Sequence, residues 1–303
     1  MKYAVGIDIG GTNTRVALID DRFTIKERVQ FSTNINDAYD TLKSINESIK
    51  TWNVDIQGIG VSCPGPLDLV AQKVLTPPNL GESWHNLFIA RELSKLAKAP
   101  VYLENDANLA ALAEAMLGAG KRSQIVQFLT ISTGIGAGLC IDGEIYRGSK
   151  GFAQEVANCI VWKDGPYQGK LKKGSIESIS SGKAIVKRAL EQGLSVHHAG
   201  DVNDLAVAGN QIAQEIMNDA YEYLANFIGI LYGVLDPDVF VIGGSVALKT
   251  EGFIQNIEKM VQSKVYSILK KNICIKKAEL QDNSGLLGAA CLVFKFQKNL
   301  TSA

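Results

Sequence analysis

The sequence predicts an α/β protein of two domains. Three observations carry that expectation. The first 120 residues read as β-β, α, β, α, β, α, and the strand, Gly/Thr turn and strand at their start recur at residues 124–148. The length of 303 residues is also enough to bury two cores.

The elements follow in order. "KYAVGID" reads as a strand, the glycines and Thr12 to Thr14 as a turn, and "RVALID" as a second strand. A dinucleotide fingerprint needs G-x-G-x-x-G leading into a helix, and a Walker loop needs GKS or GKT. Neither is present. What remains is a hairpin whose tip offers backbone N–H groups and small hydroxyls to an anion. The alternative is an ordinary hairpin turn, which more usually carries Asn-Gly or Asp-Gly.

"DAYDTLKSINESIKTWN" has the helical spacing of Leu42, Ile45 and Ile49. "IQGIGVSCPGPLD" is a buried strand running into a Pro-Gly-Pro loop, a common setting for ligand contacts. "LFIARELSKLAKA" reads as a helix, "PVYLEN" as a strand, and "DANLAALAEAMLGAG" as an Ala-rich helix closed by glycine. The second block opens with the strand "QIVQFLTIS", the turn "TGIGAG" and the strand "LCIDGEIYRG". A polar stretch from Lys150 to Ser181 comes next. Long helical segments then fill "DLAVAGNQIAQEIMNDAYEYLANFIGILYGVL", and "PDVFVIGGSVA" is a strand running into paired glycines.

Lys+Arg and Asp+Glu both number 31, which argues against a broad basic footprint for nucleic acid or anionic lipid. The start "MKYAVGIDIGG" lacks a signal-peptide pattern, and no apolar run approaches the roughly 18–20 residues that span a bilayer. Cys63, Cys140, Cys159, Cys274 and Cys291 are scattered, without a C-x-x-C pair. They suit reduced thiols in a cytoplasm. His197 and His198 lie in a polar segment, cannot share a helix face and read as solvated.

Taken together, the motifs resemble the actin/hexokinase/Hsp70 superfamily, and in detail the ROK family of sugar kinases and repressors. "DIGGTNTR" (Asp8 to Arg15) is similar to its first phosphate motif. "GVSCPGPLD", "PNL" and "ENDANLAALAE" are similar to its sugar-side motifs, and "TISTGIGAGLCIDGEIYRGSKGFAQE" to its longest signature. "LDPDVFVIGGSV" and "GLLGAACL" resemble its adenosine-side strand and closing helix.

The resemblance implies an actin-like ATPase (ribonuclease H-like) fold with a central cleft. It implies a small domain of residues 1–106 plus 288–303, a large one of residues 107–287, hinges near Ala107 and before Leu287, and a homodimer. It implies ATP and Mg²⁺ as cofactors and a sugar as the partner, without nucleic acid or membrane. Asp106 is then the base that accepts the sugar hydroxyl's proton, although Asp is also favoured as a helix cap. Gly65, Asn79 and Asn105 match positions that contact the sugar, as do Glu155 and Glu177. Gly10, Gly11, Thr12 and Asn13 on one side, with Thr133 and Gly134 on the other, match the phosphate loops. Ser132 stands where the family often has Gly. Asp8 matches the residue that orients hydrated Mg²⁺, and Gly243 and Gly244 those that approach adenosine.

The chain departs from the family at its structural zinc. The family's ligands are a His three residues after the first sugar carboxylate and three cysteines in a C-x-C-G-x-x-G-C-x-E pattern. Here Asn158, Gln168, Lys170 and Ser175 stand in those places, while Gly174 and Glu177 are kept. These side chains cannot supply the thiolates such a site needs, so no structural zinc is expected. That His also touches the sugar, so Asn158 bears on specificity. The expected activity is that of an ATP-dependent hexose kinase acting on O6, glucokinase-like because "PPNL" is followed by Trp84. N-acetylmannosamine kinase, fructokinase and β-glucoside kinase are the alternatives within the family. A sugar-responsive regulator is the alternative from another class, disfavoured because the first strand begins at residue 3, before any DNA-binding module.

Overall fold

The computed structural model describes residues 1–302, with side chains through Lys298. The chain forms two compact units, one of Met1–Leu117, Glu144–Ala153 and Asp282–Ala303, the other of Gly118–Gly143 and Gln154–Gln281.

The first unit opens with the antiparallel strands β1 (Tyr3–Ile9), β2 (Asn13–Asp20) and β3 (Ile25–Ser32). Alternation along β1 and β2 sends Val5, Ile7, Val16 and Leu18 into the core. Helix α1 (Ala38–Thr51) is capped by Asp37, whose side chain accepts the Asp40 N–H at 3.2 Å. It buries Leu42 and Ile45. β4 (Ile56–Cys63) returns parallel to β1. A small hairpin of β5 (Leu67–Asp68) and β6 (Lys73–Val74), helix α2 (Ile89–Ala97) and strand β7 (Val101–Asn105) follow. The sheet order is β3-β2-β1-β4-β7. Helix α3 (Asp106–Met116) leaves directly from the end of β7.

The second unit starts with an antiparallel pair, β8 (Ile125–Ile131) and β9 (Ile135–Ile141). The two-residue strand β10 (Glu144–Ile145) belongs to the first unit. The second unit then continues through α4 (Ile176–Ser180), α5 (Gly182–Glu191), α6 (Ala199–Val207) and α7 (Gln211–Leu235). It ends with β11 (Val239–Gly243), α8 (Ser245–Lys249), α9 (Phe253–Val261) and β12 (Ile275–Lys277). β11 lies parallel to β8 and to β12. Its core is built on Ile216, Leu224, Phe240 and Phe253. The last helix, α10 (Ser284–Ser302), rejoins the first unit and packs on α3, β1 and β4.

The α/β class and the paired hairpins stand as expected. β3 is not among the predicted elements, and the long helical run is two helices because Gly209 has φ +94° and Asn210 caps α7. The second turn is only Ser132–Gly134, since Gly136 and Gly138 lie within β9. α3 packs on α10, so the first unit runs through Leu117 and resumes at Asp282. Ala107 lies inside α3 and Leu287 inside α10. Of the expected small domain, Ala303 lies outside the described residues. Among the described residues, no helix is long and apolar enough to cross a membrane.

Candidate active site

In the first unit, β1, β4 and β7 run parallel and end together. Asp8 pairs with Ser62, Ser62 with Glu104, and Cys63 with Asn105. The carboxyl ends of parallel strands are the usual ligand edge of an α/β sheet. The Cys63 thiol registers the charges gathered there: burial pushes its pKa well up, and the Asp106 and Asp8 carboxylates add to the rise. Burial also pushes the Asp8 carboxyl up, while Ser62, Arg15 and Arg28 pull it down. The Arg15 guanidinium lies 3.6 Å from it.

The turn after β1 holds Gly10, Gly11, Thr12 and Asn13. Gly10 N–H donates to Asn13 O at 2.9 Å. Thr33 clamps the turn, its N–H donating to Thr12 O at 2.9 Å and its hydroxyl to Gly10 O at 2.7 Å. Asn79 joins this group, because a Cβ on Gly11 would lie 2.6 Å from Asn79 O. Gly65 follows β4 in the loop that precedes β5.

Asn105 is the N-cap of α3: its Oδ1 accepts the N–H groups of Ala107 at 2.9 Å and Asn108 at 3.3 Å. With Oδ1 committed to the helix, its amide offers Nδ2 as a donor. Asp106 is the first helical residue, its Oδ1 accepting Ala107 N–H at 2.8 Å. The capping role considered for Asp106 therefore falls to its neighbour.

The second unit holds the remaining candidates. Ser132 N–H donates to Gly134 O at 2.9 Å, and Gly182 N–H to Ser132 O at 2.8 Å, so backbone hydrogen bonds hold the turn that carries Thr133. Glu177, on the first turn of α4, accepts Ile135 N–H at 2.7 Å. This candidate sugar carboxylate thus lies against the candidate phosphate turn. Burial pushes the Glu177 carboxyl up, opposed by Ile135 N–H and Lys183. Glu177 N–H donates to Ala157 O at 3.2 Å and Ile176 N–H to Cys159 O at 2.9 Å, which joins the segment of Glu155 and Asn158 to α4. Gly243 ends β11, and Gly244 has φ +89° with room for no Cβ, which would lie 2.4 Å from Ile131 O.

The four places of the family's zinc ligands hold Asn158, Gln168, Lys170 and Ser175, none of which offers a thiolate or an imidazole. Asn158 Oδ1 accepts the Lys172 N–H at 2.9 Å, Gln168 Oε1 lies 3.5 Å from the Ser181 hydroxyl, and the Ser175 hydroxyl is buried without a partner. Among the described residues no group of three His, Cys, Asp or Glu side chains is placed to hold a metal. The loop is held otherwise. Trp162 stacks on Tyr223 with centroids 4.5 Å apart, and Val161 N–H donates to Gly174 O at 2.9 Å. Trp162→Ala should therefore lower Tm by about 1–6 °C, from a ring pair worth about 0.5–1.5 kcal/mol beyond its buried area. A chelator should leave the parent's Tm unchanged. Elemental analysis finding one tightly held zinc per chain would overturn this view of the loop.

Glu104 and Arg147 are not among the sequence candidates. The available signal was a lone acidic residue in the strand "VYLEN", whose row faces the core.

An α/β chain with a Gly/Thr hairpin turn in each unit and a carboxylate at the head of a strand-end helix has the parts of an actin-like ATPase. The comparisons agree. Residues 4–295 match the model of the ROK family. A glucokinase from Thermotoga maritima is 27% identical, over 95% of this chain and 96% of its own. An N-acetylmannosamine kinase from Vibrio cholerae is 31% identical, over 97% of this chain and 99% of its own. A solved ROK family glucokinase from Streptomyces griseus, in complex with glucose and AMPPNP, superposes with a TM-score of 0.78 at 25% identity, covering 97% of this chain and 99% of its own. The chain belongs to the ROK family and is an ATP-dependent sugar kinase.

Proposed function

We propose that the chain transfers the γ-phosphate of ATP to the primary hydroxyl, O6, of a hexose, with glucose the first acceptor and N-acetylmannosamine the second. The observation that carries this reading is the first turn of α3. There a rigidly capped helix presents the Asp106 carboxylate next to the Asn105 amide. Phosphoryl transfer is mostly positioning and charge neutralisation, with one base to accept the alcohol proton. Asp106 takes that proton from the sugar hydroxyl. In the first unit the sugar contacts are Asn105, Asn79 and the Gly65 backbone; in the second they are Glu155, Glu177 and Asn158. Backbone N–H groups of Gly10 to Asn13, and of Thr133 and Gly134, bind phosphate oxygens, and Gly243 and Gly244 admit the adenosine. Asp8, an oxygen donor at the end of β1, would orient Mg²⁺ through its waters. When bound, Mg²⁺ neutralises charge on the β- and γ-phosphates. The second acceptor is kept because the Vibrio cholerae kinase has the higher identity of the two curated relatives.

The test is a coupled ADP-release assay with glucose, mannose, fructose, N-acetylmannosamine and a β-glucoside, for the parent and Asn158→Ala. An aldohexose, plain or N-acetylated, is expected to give the highest kcat/KM. Asn158→Ala should shift the ratio between sugars about threefold to tenfold, the range of one hydrogen bond to a neutral group. No ADP release with any sugar would refute the function. A preference of several orders of magnitude that Asn158→Ala leaves intact would refute the role of Asn158.

A further inference from the structure

We propose that Glu104 and Arg147 are positioning residues for phosphoryl transfer, holding the helix turn that carries the base. The inference rests on the reading of Asp106 as that base.

Glu104 is only 1% exposed, at the end of β7. A buried carboxylate is costly unless its oxygens are fully engaged. Here Oε1 accepts Asn105 N–H at 3.0 Å and Asn108 Nδ2 at 3.0 Å, and Oε2 accepts Arg147 Nε at 2.6 Å. The first two partners stand on either side of Asp106 in the chain. One is the cap residue and the other lies within the first helical turn. The Glu104 carboxylate therefore braces both ends of the turn on which Asp106 is mounted. An apolar pair would fill the same space, and buried ion pairs often add little stability over such a pair. What an ion pair does add here is a fixed direction for the backbone that aims Asp106 and Asn105.

Arg147 connects this brace to a second part of the chain. It lies in Glu144–Ala153, the stretch of the first unit that the chain enters from the second unit and leaves back into it. That stretch is secured by Lys295 Nζ at 2.6 Å from Glu144 and by Ala153 N–H donating to Arg147 O at 3.1 Å. Two residues beyond it is Glu155, one of the proposed sugar contacts. A single ion pair thus ties the base's helix turn to the segment that leads to a sugar carboxylate.

Glu104→Gln keeps the shape and removes the charge, Arg147→Ala removes the partner, and Arg147→Lys keeps the positive charge without the planar Nε donor. Each variant is measured for kcat, for KM of the preferred sugar, and for sugar-binding stoichiometry by calorimetry. Small misplacements of a reacting group cost up to about 10²-fold. Glu104→Gln and Arg147→Ala should lower kcat roughly 10–100-fold on that scale, with KM within about threefold and stoichiometry near that of the parent. Arg147→Lys should recover part of the loss. Unchanged kcat in both variants, or kcat falling only in step with the binding stoichiometry as unfolding would produce, overturns the proposal. A parent that phosphorylates no sugar would instead sink the kinase reading beneath it.

Discussion

Asp106→Asn is expected to lower kcat by ~10²–10⁴-fold, the usual contribution of a general base. Sugar affinity should stay within about tenfold, because a mutation that removes an interaction made only in the transition state leaves ground-state binding largely intact. The amide keeps the shape of the carboxylate and can still accept the Ala107 N–H that Asp106 Oδ1 accepts at 2.8 Å. It cannot take a proton from an alcohol. The same geometry separates catalysis from capping. Asn105 caps α3, so Asn105→Ala should lower stability by about 1 kcal/mol, whereas Asp106→Asn should leave Tm nearly unchanged. The decisive readings are kcat, sugar affinity by calorimetry and Tm on both variants. Activity of Asp106→Asn within a few-fold of the parent would reduce Asp106 to a structural residue.

That pair of neighbours shows how far the sequence could be read. Asn and Asp are both good caps, and residue preference cannot choose between adjacent ones. Only the bonds from Asn105 Oδ1 to Ala107 and Asn108 settle which residue holds the helix. The first hairpin was legible because strand alternation and a Gly/Thr turn are local signals. β3 was also locally marked, with Ile25, Val29 and Phe31 alternating against polar residues, yet it lacks the glycines that drew the eye to its neighbours. The ion pair of buried Glu104 with half-buried Arg147 spans 43 residues, and no spacing rule reaches across that distance. The loop at the place of the family's zinc is a mixed case. The loss of the metal donors could be read from Asn158, Gln168, Lys170 and Ser175, because ligand chemistry is a matter of residue type. The stacking of Trp162 on Tyr223, which helps hold that loop, depends on the path of α7 and could not. The packing of α3 was not legible for a similar reason: α3 follows β7 as a fresh element in sequence, but its packing partner is α10, near the other end of the chain.

Gly288→Ala should lower Tm by about 2–12 °C, although the same change in an open helix would raise it. Alanine is favoured over glycine in a helix interior by roughly 0.5–1 kcal/mol, so a free surface of α10 would gain stability. Gly288 has no such freedom. A Cβ there would lie 2.1 Å from Leu109 O and 2.9 Å from Leu109 Cβ, and the nearer obstacle is the main chain of α3. A side-chain obstacle can rotate away, but a backbone carbonyl moves only with its helix. Overpacking of this kind costs ~1–3 kcal/mol, and each kilocalorie lowers Tm by about 2–4 °C in a domain of this size. Catalysis should weaken as well, well below the melting transition. α3 carries Asp106 at its first turn, and Gly285 near the start of α10 lies so close to Asp8 that its own Cβ would fall 2.9 Å from that carboxyl. Prising the two helices apart therefore disturbs both carboxylates. Gly233→Ala on α7 is the matched control, since a Cβ there meets nothing within 4 Å, and it should leave Tm unchanged or raise it. Calorimetric Tm and kcat at 25 °C are to be compared for the two variants. A Tm that rises with Gly288→Ala, as it does for an open helix, would mean that α10 and α3 do not make this contact.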